Sequence, residues 1–474
     1  MASTKSCLCG GTDGIDAEVV EQDVHGDPEL FVVAVGGGPS GGLASVAGLR
    51  MPARMGRRRV RGARAGRLRC EARNSLTGSS RFRMIVAATD RPVSQRLWEA
   101  YRMATAGEQN RFQLGLFAHN AWGGLTKTLA PTRWSADWDN NVRVAQLAEE
   151  AGFDFLLPFA VWLDLEGDAS TDGWSLETLT WAAATLATTE RITVFATVHT
   201  PFIHPVFAAK QAATCNRIGN GRFGLNIVSG WGKPDFDHFG IEMLDHDERY
   251  DYTEEWLEIV KELWTNAAPF DHEGRYFQLK GAKTLPRPVE PLPRIVSAGS
   301  SPVGRAFAAR HADFLFMIIV DSEGEGLEQE IEGFRALAGD RKVGAYASGH
   351  VICRETSKEA DEYYDHIVHE HGDWAGAEYW KEVVLGSQSI PPEALNSLLE
   401  RYVSGQSTFL VKGDPDEVAH TFKRLSDAGL DGMAFGLVNY LDDLPIIRDE
   451  VIPRMKDLGL RESGADVGLV PSAG

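Results

Sequence analysis

From Arg111 onward the chain holds eight short apolar runs, nearly all alternating with segments of helical period, a pattern that few folds accept. The apolar runs are 111–118, 153–160, 191–199, 221–229, 294–299, 313–320, 343–353 and 430–438. Among them lie helix-period stretches at 138–150, 175–189 (with Ser175 as its cap), 204–218, 247–264, 302–312, 327–338, 358–371 and 415–428. Strands separated by helices pair in parallel, and eight such units close into a (β/α)8 TIM barrel. The alternative is an open doubly wound sheet, but no Gly-x-Gly-x-x-Gly follows the first run. The predicted fold class is therefore α/β, a barrel with insertions after the fourth strand (230–246) and between late strands (372–413). The stretch 270–293 reads as an inserted hairpin. Loops that follow barrel strands build the active face, so long ones there are candidate lids.

Charge divides the chain. Residues 1–110 hold 16 Lys+Arg against 11 Asp+Glu, and 12 of those basic residues are arginines between Arg50 and Arg83. The remainder holds 32 basic and 56 acidic residues, which argues against nucleic acid as a partner of the body. The expected division is a low-order Arg-rich extension over 1–105, a barrel domain over 106–465 and a flexible tail over 466–474. Three readings of the extension compete: sequence upstream of a start at Met84 or Met103, a disordered arm, or a targeting leader. Asp13, Asp16, Glu18 and Glu21 spoil the last. No apolar run reaches the roughly 18 residues of a membrane span. The body keeps only Cys215 and Cys353, which suits a cytoplasmic location.

Strand ends are where chemistry is sought. The third run ends Phe195-Ala-Thr-Val-His-Thr200, the fourth Asn226-Ile-Val-Ser-Gly-Trp231 and the fifth Ser297-Ala-Gly-Ser-Ser301. Small and polar residues at three neighbouring strand mouths suit a planar ligand lying on the barrel. Gly299-Ser300-Ser301-Pro302 reads either as a phosphate site at a helix start or as an N-cap with proline at N1. Asp245-His-Asp-Glu-Arg-Tyr250 lacks the histidine spacing of a metal site, and none is expected there. It reads instead as a helix start capped by Asp245 or Asp247, with Arg249 and Tyr250 in the first turn. His119, His199 and His204 lie near strand mouths as candidate donors or structural residues. No Ser-His-Asp order, Cys-His pair, His-Glu-x-x-His or P-loop is present, so a bound cofactor is the expected source of the chemistry.

The strings Ala145-Gln-Leu-Ala-Glu-Glu-Ala-Gly-Phe-Asp154, Asn220-Gly-Arg-Phe-Gly-Leu-Asn-Ile-Val-Ser-Gly-Trp231, Asp245–Tyr250 and Ser297–Ser301, in this order, resemble the bacterial luciferase-like flavin monooxygenases. The likeness runs from about Phe112 to Leu460 and is strongest toward the branch holding pyrimidine oxygenase and dimethyl sulfone monooxygenase. Flavin monooxygenases acting on dibenzothiophene sulfone and hexachlorobenzene are related by chemistry.

The resemblance implies an enzyme that takes reduced FMN (FMNH2) from a separate flavin reductase, which alone uses NAD(P)H. It captures O2 and oxygenates a small substrate, cleaving a carbon–heteroatom bond in a sulfone, pyrimidine amide or haloaromatic. By the same resemblance Asn226 contacts the isoalloxazine and flanks the O2 pocket with Thr197; His199, from its place at a strand mouth, is a further catalytic candidate. Arg249, Tyr250 and Ser301 hold the ribityl phosphate. Asp235 stands where pyrimidine oxygenase has a glutamate, and Val161 and Trp162 where it has an Ile-Lys pair. A homo-oligomer, dimer or tetramer, is expected. The reaction needs a dry cavity, for which Phe117, Trp122, Phe159, Trp162, Phe202 and Trp231 are candidates. Two further readings are a deazaflavin-dependent hydride-transfer enzyme and a flavin-binding barrel without activity.

Overall fold

The computed structural model describes residues 111–163, 167, 169, 175–319, 326–382 and 392–462, together with the backbone of six strands between Lys5 and Ile85. The expected tail over 466–474 and the possible start at Met103 lie outside the described residues. The chain divides into two compact units, Met1–Gly107 and Glu108–Gly474. In the first, the six strands form one antiparallel sheet. The sequence pattern predicts no strand there. Ile15–Val24 and Asp27–Gly37 pair as a hairpin, which a pattern of strand–helix alternation does not reveal.

The second unit is the barrel. Its eight strands are Gln113–Phe117, Phe155–Leu157, Thr193–His199, Phe223–Val228, Arg294–Ser297, Phe314–Met317, Gly344–Cys353 and Gly432–Gly436. Each pairs in parallel with the next, and the eighth closes on the first through Gly432↔Gln113 to Phe435↔Leu116. All eight fall inside the predicted runs. A further parallel strand, Phe409–Gly413, pairs with the last half of the long seventh strand. It sits in the stretch 372–413 read as an insertion and candidate lid with no strand assigned, together with the helices Trp374–Trp380 and Pro392–Gly405. The hairpin predicted over 270–293 is present as Phe270–Glu273 against Gln278–Ala282.

Alternation along each strand separates two cores. Phe155, Leu157, Phe195, Val296, Phe314, Phe316, Tyr346 and Ala434 form one buried cluster; most of the other buried apolar residues pack in a separate large cluster that includes the outer helices. Aromatic rings fill the space that side chains would take at two glycines. A methyl on Gly115 would stand 2.1 Å from the Phe155 ring, and one on Gly224 would stand 2.3 Å from the Phe195 ring. Phe155 and Phe195 meet edge-on at 5.8 Å. Arg294 is buried beside this cluster over the Phe314 ring, and burial lowers its guanidinium to about 10.

Two helix starts differ from expectation. Ser175 does not cap its helix, which runs Thr178–Thr188; the Glu177 carboxylate accepts from the amides of Leu179 and Thr180. Ser175 instead hydrogen-bonds the Val161 carbonyl at 3.3 Å. Asp245 occupies the N-cap position of His246–Thr265, but neither it nor Asp247 supplies a side-chain cap there. A carboxylate two residues nearer the first amide turn reaches more donors than Ser175 does, which local spacing alone could not rank.

Candidate active site

Thr197 and Asn226 lie side by side in register on the third and fourth strands, both buried. Thr197 Oγ1 donates to the Pro158 carbonyl at 2.6 Å, so its lone pair takes the Asn226 amide: Nδ2 donates to it at 3.2 Å. That chain of donors fixes which way the amide points. Asn226 Oδ1 is left buried with no partner among the described residues, an acceptor held ready for a ligand N–H.

His199 ends the third strand and meets Trp162, whose indole Nε1 lies 3.2 Å from His199 Nδ1. Burial lowers His199 to about 4, so the ring is neutral near pH 7. An indole nitrogen only donates, so Nδ1 accepts and the ring proton resides on Nε2. His199 is thus a hydrogen-bond donor in its resting form rather than a base. Phe202 stacks on Phe239 at 4.4 Å, and Phe236 and Trp162 pack edge-on to this pair at 5.0 Å each. Phe117 and Phe159 meet edge-on at 5.9 Å. Trp231, expected in the dry wall, is instead 58% exposed, because Gly230 at φ 89° turns the chain over Phe236. Phe236 and Phe239 escape sequence reading, since a short apolar pair in a charged loop carries no periodic signal.

The third predicted group also converges. Ser301 caps the helix Pro302–His311, its Oγ accepting from the Gly304 amide at 3.2 Å, so the N-cap reading holds. Tyr250 Oη reaches the same turn. A methyl on Gly304 would stand 2.5 Å from that hydroxyl, and one on Gly299 2.8 Å from it. Two bare glycines thus leave room for a phenol hydroxyl at a helix start with proline at N1, where unpaired amides favour an anion. Arg249, next to Tyr250, donates to the Leu244 carbonyl at 2.7 Å, while its buried Nε has no partner among the described residues. Gly304 went unremarked in the sequence; glycine at the third helical position was the available signal.

The remaining candidates spread around the mouth. Val161 is half-buried beside Trp162. Asp235 lies in the first turn of Lys233–Phe239, where burial raises its carboxyl above the usual range and His238 partly offsets this. His204 is exposed and caps Pro205–Ile218 through Nδ1. His119 is fully buried against Trp181 and Tyr440, held down to about 3 by burial, which makes it a neutral core residue. Burial pushes the Cys215 and Cys353 thiols up to about 12, so neither is a ready nucleophile.

A parallel barrel with an oriented, unsatisfied amide at one strand mouth and a glycine-lined helix start after the next is the arrangement of a ligand-binding barrel. Residues 111–432 match the luciferase-like monooxygenases, and the chain belongs to that family. It is 30% identical over 355 residues to the FMNH2-dependent dimethylsulfone monooxygenase of Pseudomonas putida, covering 72% of this chain and 94% of the relative. Identity is 29% over 371 residues to the pyrimidine monooxygenase RutA of Klebsiella pneumoniae, covering 73% and 96%. Among solved structures, long-chain alkane monooxygenase LadA shares the fold at a TM-score of 0.67 and 23% identity, covering 76% and 94%. The protein is therefore an enzyme, a flavin-dependent monooxygenase of the luciferase-like family.

Proposed function

We propose that the protein is the oxygenase component of a two-component system. It takes FMNH2 from a separate flavin reductase and uses O2 to cleave a carbon–heteroatom bond in a small sulfone, pyrimidine amide or haloaromatic. The observation that carries this reading is the buried, partnerless Asn226 Oδ1, oriented through Thr197. The residues fit the cofactor at both ends. Asn226 Oδ1 would accept an N–H of the flavin ring, while Arg249 Nε, Tyr250 Oη and the helix start at Ser301 would receive the phosphate. Val161, Trp162 and Asp235 would line the ring.

Reduced FMN supplies the electrons by which O2 becomes able to oxygenate the substrate. The protein's part is to orient and to exclude water. Trp162 holds His199 in the tautomer whose Nε2–H can donate to substrate oxygen or nitrogen. The rings of Phe202, Phe236 and Phe239 keep that corner apolar. In this reading the protein acts as a cytoplasmic homo-oligomer on a diffusible substrate; among the described residues no helix is long and apolar enough to cross a membrane.

The isolated protein with NADH is expected to consume no O2 until a reductase and FMN are added. An oxygen electrode checks this, together with assays for released sulfite, halide or ring-opened amide. Robust NADH oxidation by the protein alone would overturn the two-component reading. Because free reduced FMN consumes O2 by itself, it is the lack of any cleaved product with reductase, FMN and O2 present that would favour hydride transfer or flavin storage.

Ser301→Ala and Tyr250→Phe are each expected to weaken FMN binding about ten- to a hundred-fold, the cost of one hydrogen bond to a charged phosphate at about 1.5–3 kcal/mol. Flavin fluorescence titration reads this, and unchanged affinity in both variants would remove the phosphate assignment. Removal of residues 1–102 is expected to leave turnover intact, because the first barrel strand begins at Gln113. Loss of soluble protein on truncation, with the full chain well behaved, would reverse that expectation.

A further inference from the structure

Beyond the seventh strand, the helix Ser357–Asp365 passes into a π-turn over His366–Glu370. In an α-helix, residues five apart point about 140° away from each other. The π-turn removes that offset: the His371 amide donates to the His366 carbonyl at 3.1 Å, and the two imidazole rings stand 4.5 Å apart. Glu370 Oε2 lies 2.8 Å from His366 Nδ1. The ligand atoms of His366, Glu370 and His371 all lie within 4.8 Å of one another.

We propose that His366, Glu370 and His371 form a binding site for a divalent transition metal of the Zn2+ or Ni2+ class. Two imidazoles and a carboxylate are the donor set of such ions and not of Mg2+ or Ca2+, which take oxygen ligands. Ligands at about 2.1 Å around a tetrahedral ion are about 3.4 Å apart, so modest rotations of these half-buried and exposed side chains suffice. A fourth position remains for water. An ordinary ion pair explains His366 with Glu370, but not the third donor, which the backbone presses into place. The His371 carbonyl accepts from the Leu129 amide at 2.7 Å and from Thr128 Oγ1 at 3.2 Å, fixing where its ring starts. His369, between them in sequence, faces elsewhere: it lies 3.7 Å from both Asp365 and Glu400 and parallel to the Trp374 ring. The site is independent of the flavin reading.

Tag-free full-length protein, stripped with a chelator, is titrated with Zn2+ and separately with Ni2+ by calorimetry. The expected result is one ion per chain that His366→Ala and His371→Ala each remove or weaken at least tenfold, with Glu370→Gln weakened less and His369→Ala unchanged. Zn2+ should also raise the melting temperature of the wild type and not of the two alanine variants, which separates lost binding from lost folding. Equal uptake by wild type, His366→Ala and His371→Ala overturns the site, as does no uptake by the wild type at millimolar metal.

Discussion

Asn226→Ala, saturated with reduced FMN, is expected to oxygenate substrate about a hundred-fold more slowly than the wild type, the cost of a reacting ring misplaced by about 1 Å once the acceptor that would position it is gone. Flavin affinity should move by only a few-fold, since the proposed phosphate contacts of Arg249, Tyr250 and Ser301 are left intact. The expectation rests on orientation. Thr197 donates to Pro158, so Asn226 must give its Nδ2–H to Thr197 and present Oδ1. Thr197→Val removes the hydroxyl that sets this orientation and lets the amide turn over, so an intermediate loss of rate is expected. Single-turnover oxygenation and flavin titration on both variants separate rate from binding. Normal oxygenation by Asn226→Ala at saturating FMN would refute its role at the oxygen site.

Arg461→Ala is expected to destabilise the barrel by about 3–5 kcal/mol, the cost of stranding one partner of a buried ion pair. Arg461 Nη1 meets Asp154 Oδ2 at 2.8 Å, with side chains 3% and 1% exposed. Asp154 also accepts from the Leu114 amide at 2.8 Å, and Arg461 donates to the carbonyls of Phe112 and Gly152. One arginine near the chain end thus ties together the entries of the first two strands, at the rim opposite the candidate site. Urea unfolding measures the loss. Replacing both residues, as Asp154→Asn with Arg461→Met, should recover part of it, because no charge is then left unpaired. A loss below about 1 kcal/mol for Arg461→Ala would show the pair to be dispensable. In cool solution the single variant should keep its flavin affinity, since the cradle lies after the fifth strand.

The positions of the candidate residues were legible because they sit near the ends of apolar runs, while their proposed roles came from the resemblance. Asn226, Thr197 and His199 are strand-end residues, and Tyr250 and Ser301 mark helix starts, positions that periodicity and capping chemistry locate without knowledge of neighbours. The same local signals placed all eight barrel strands and the inserted hairpin. Capping was less secure: Glu177 displaced Ser175 because a longer side chain two residues on reached the free amides first.

Sequence alone determined the alternation and the parallel barrel, because the side-chain period of each element records which face it buries, while the resemblance to the family rested on four motif strings in order. Tertiary structure alone decided which residues meet. Trp162 reaches His199 across 37 positions and Arg461 reaches Asp154 across 307, and no local period encodes either distance. The stacking of Phe202 on Phe239 and the two glycines that admit Tyr250 Oη are of the same kind. Each depends on how separate elements are carried past one another when the barrel closes, which is a property of packing and not of any segment.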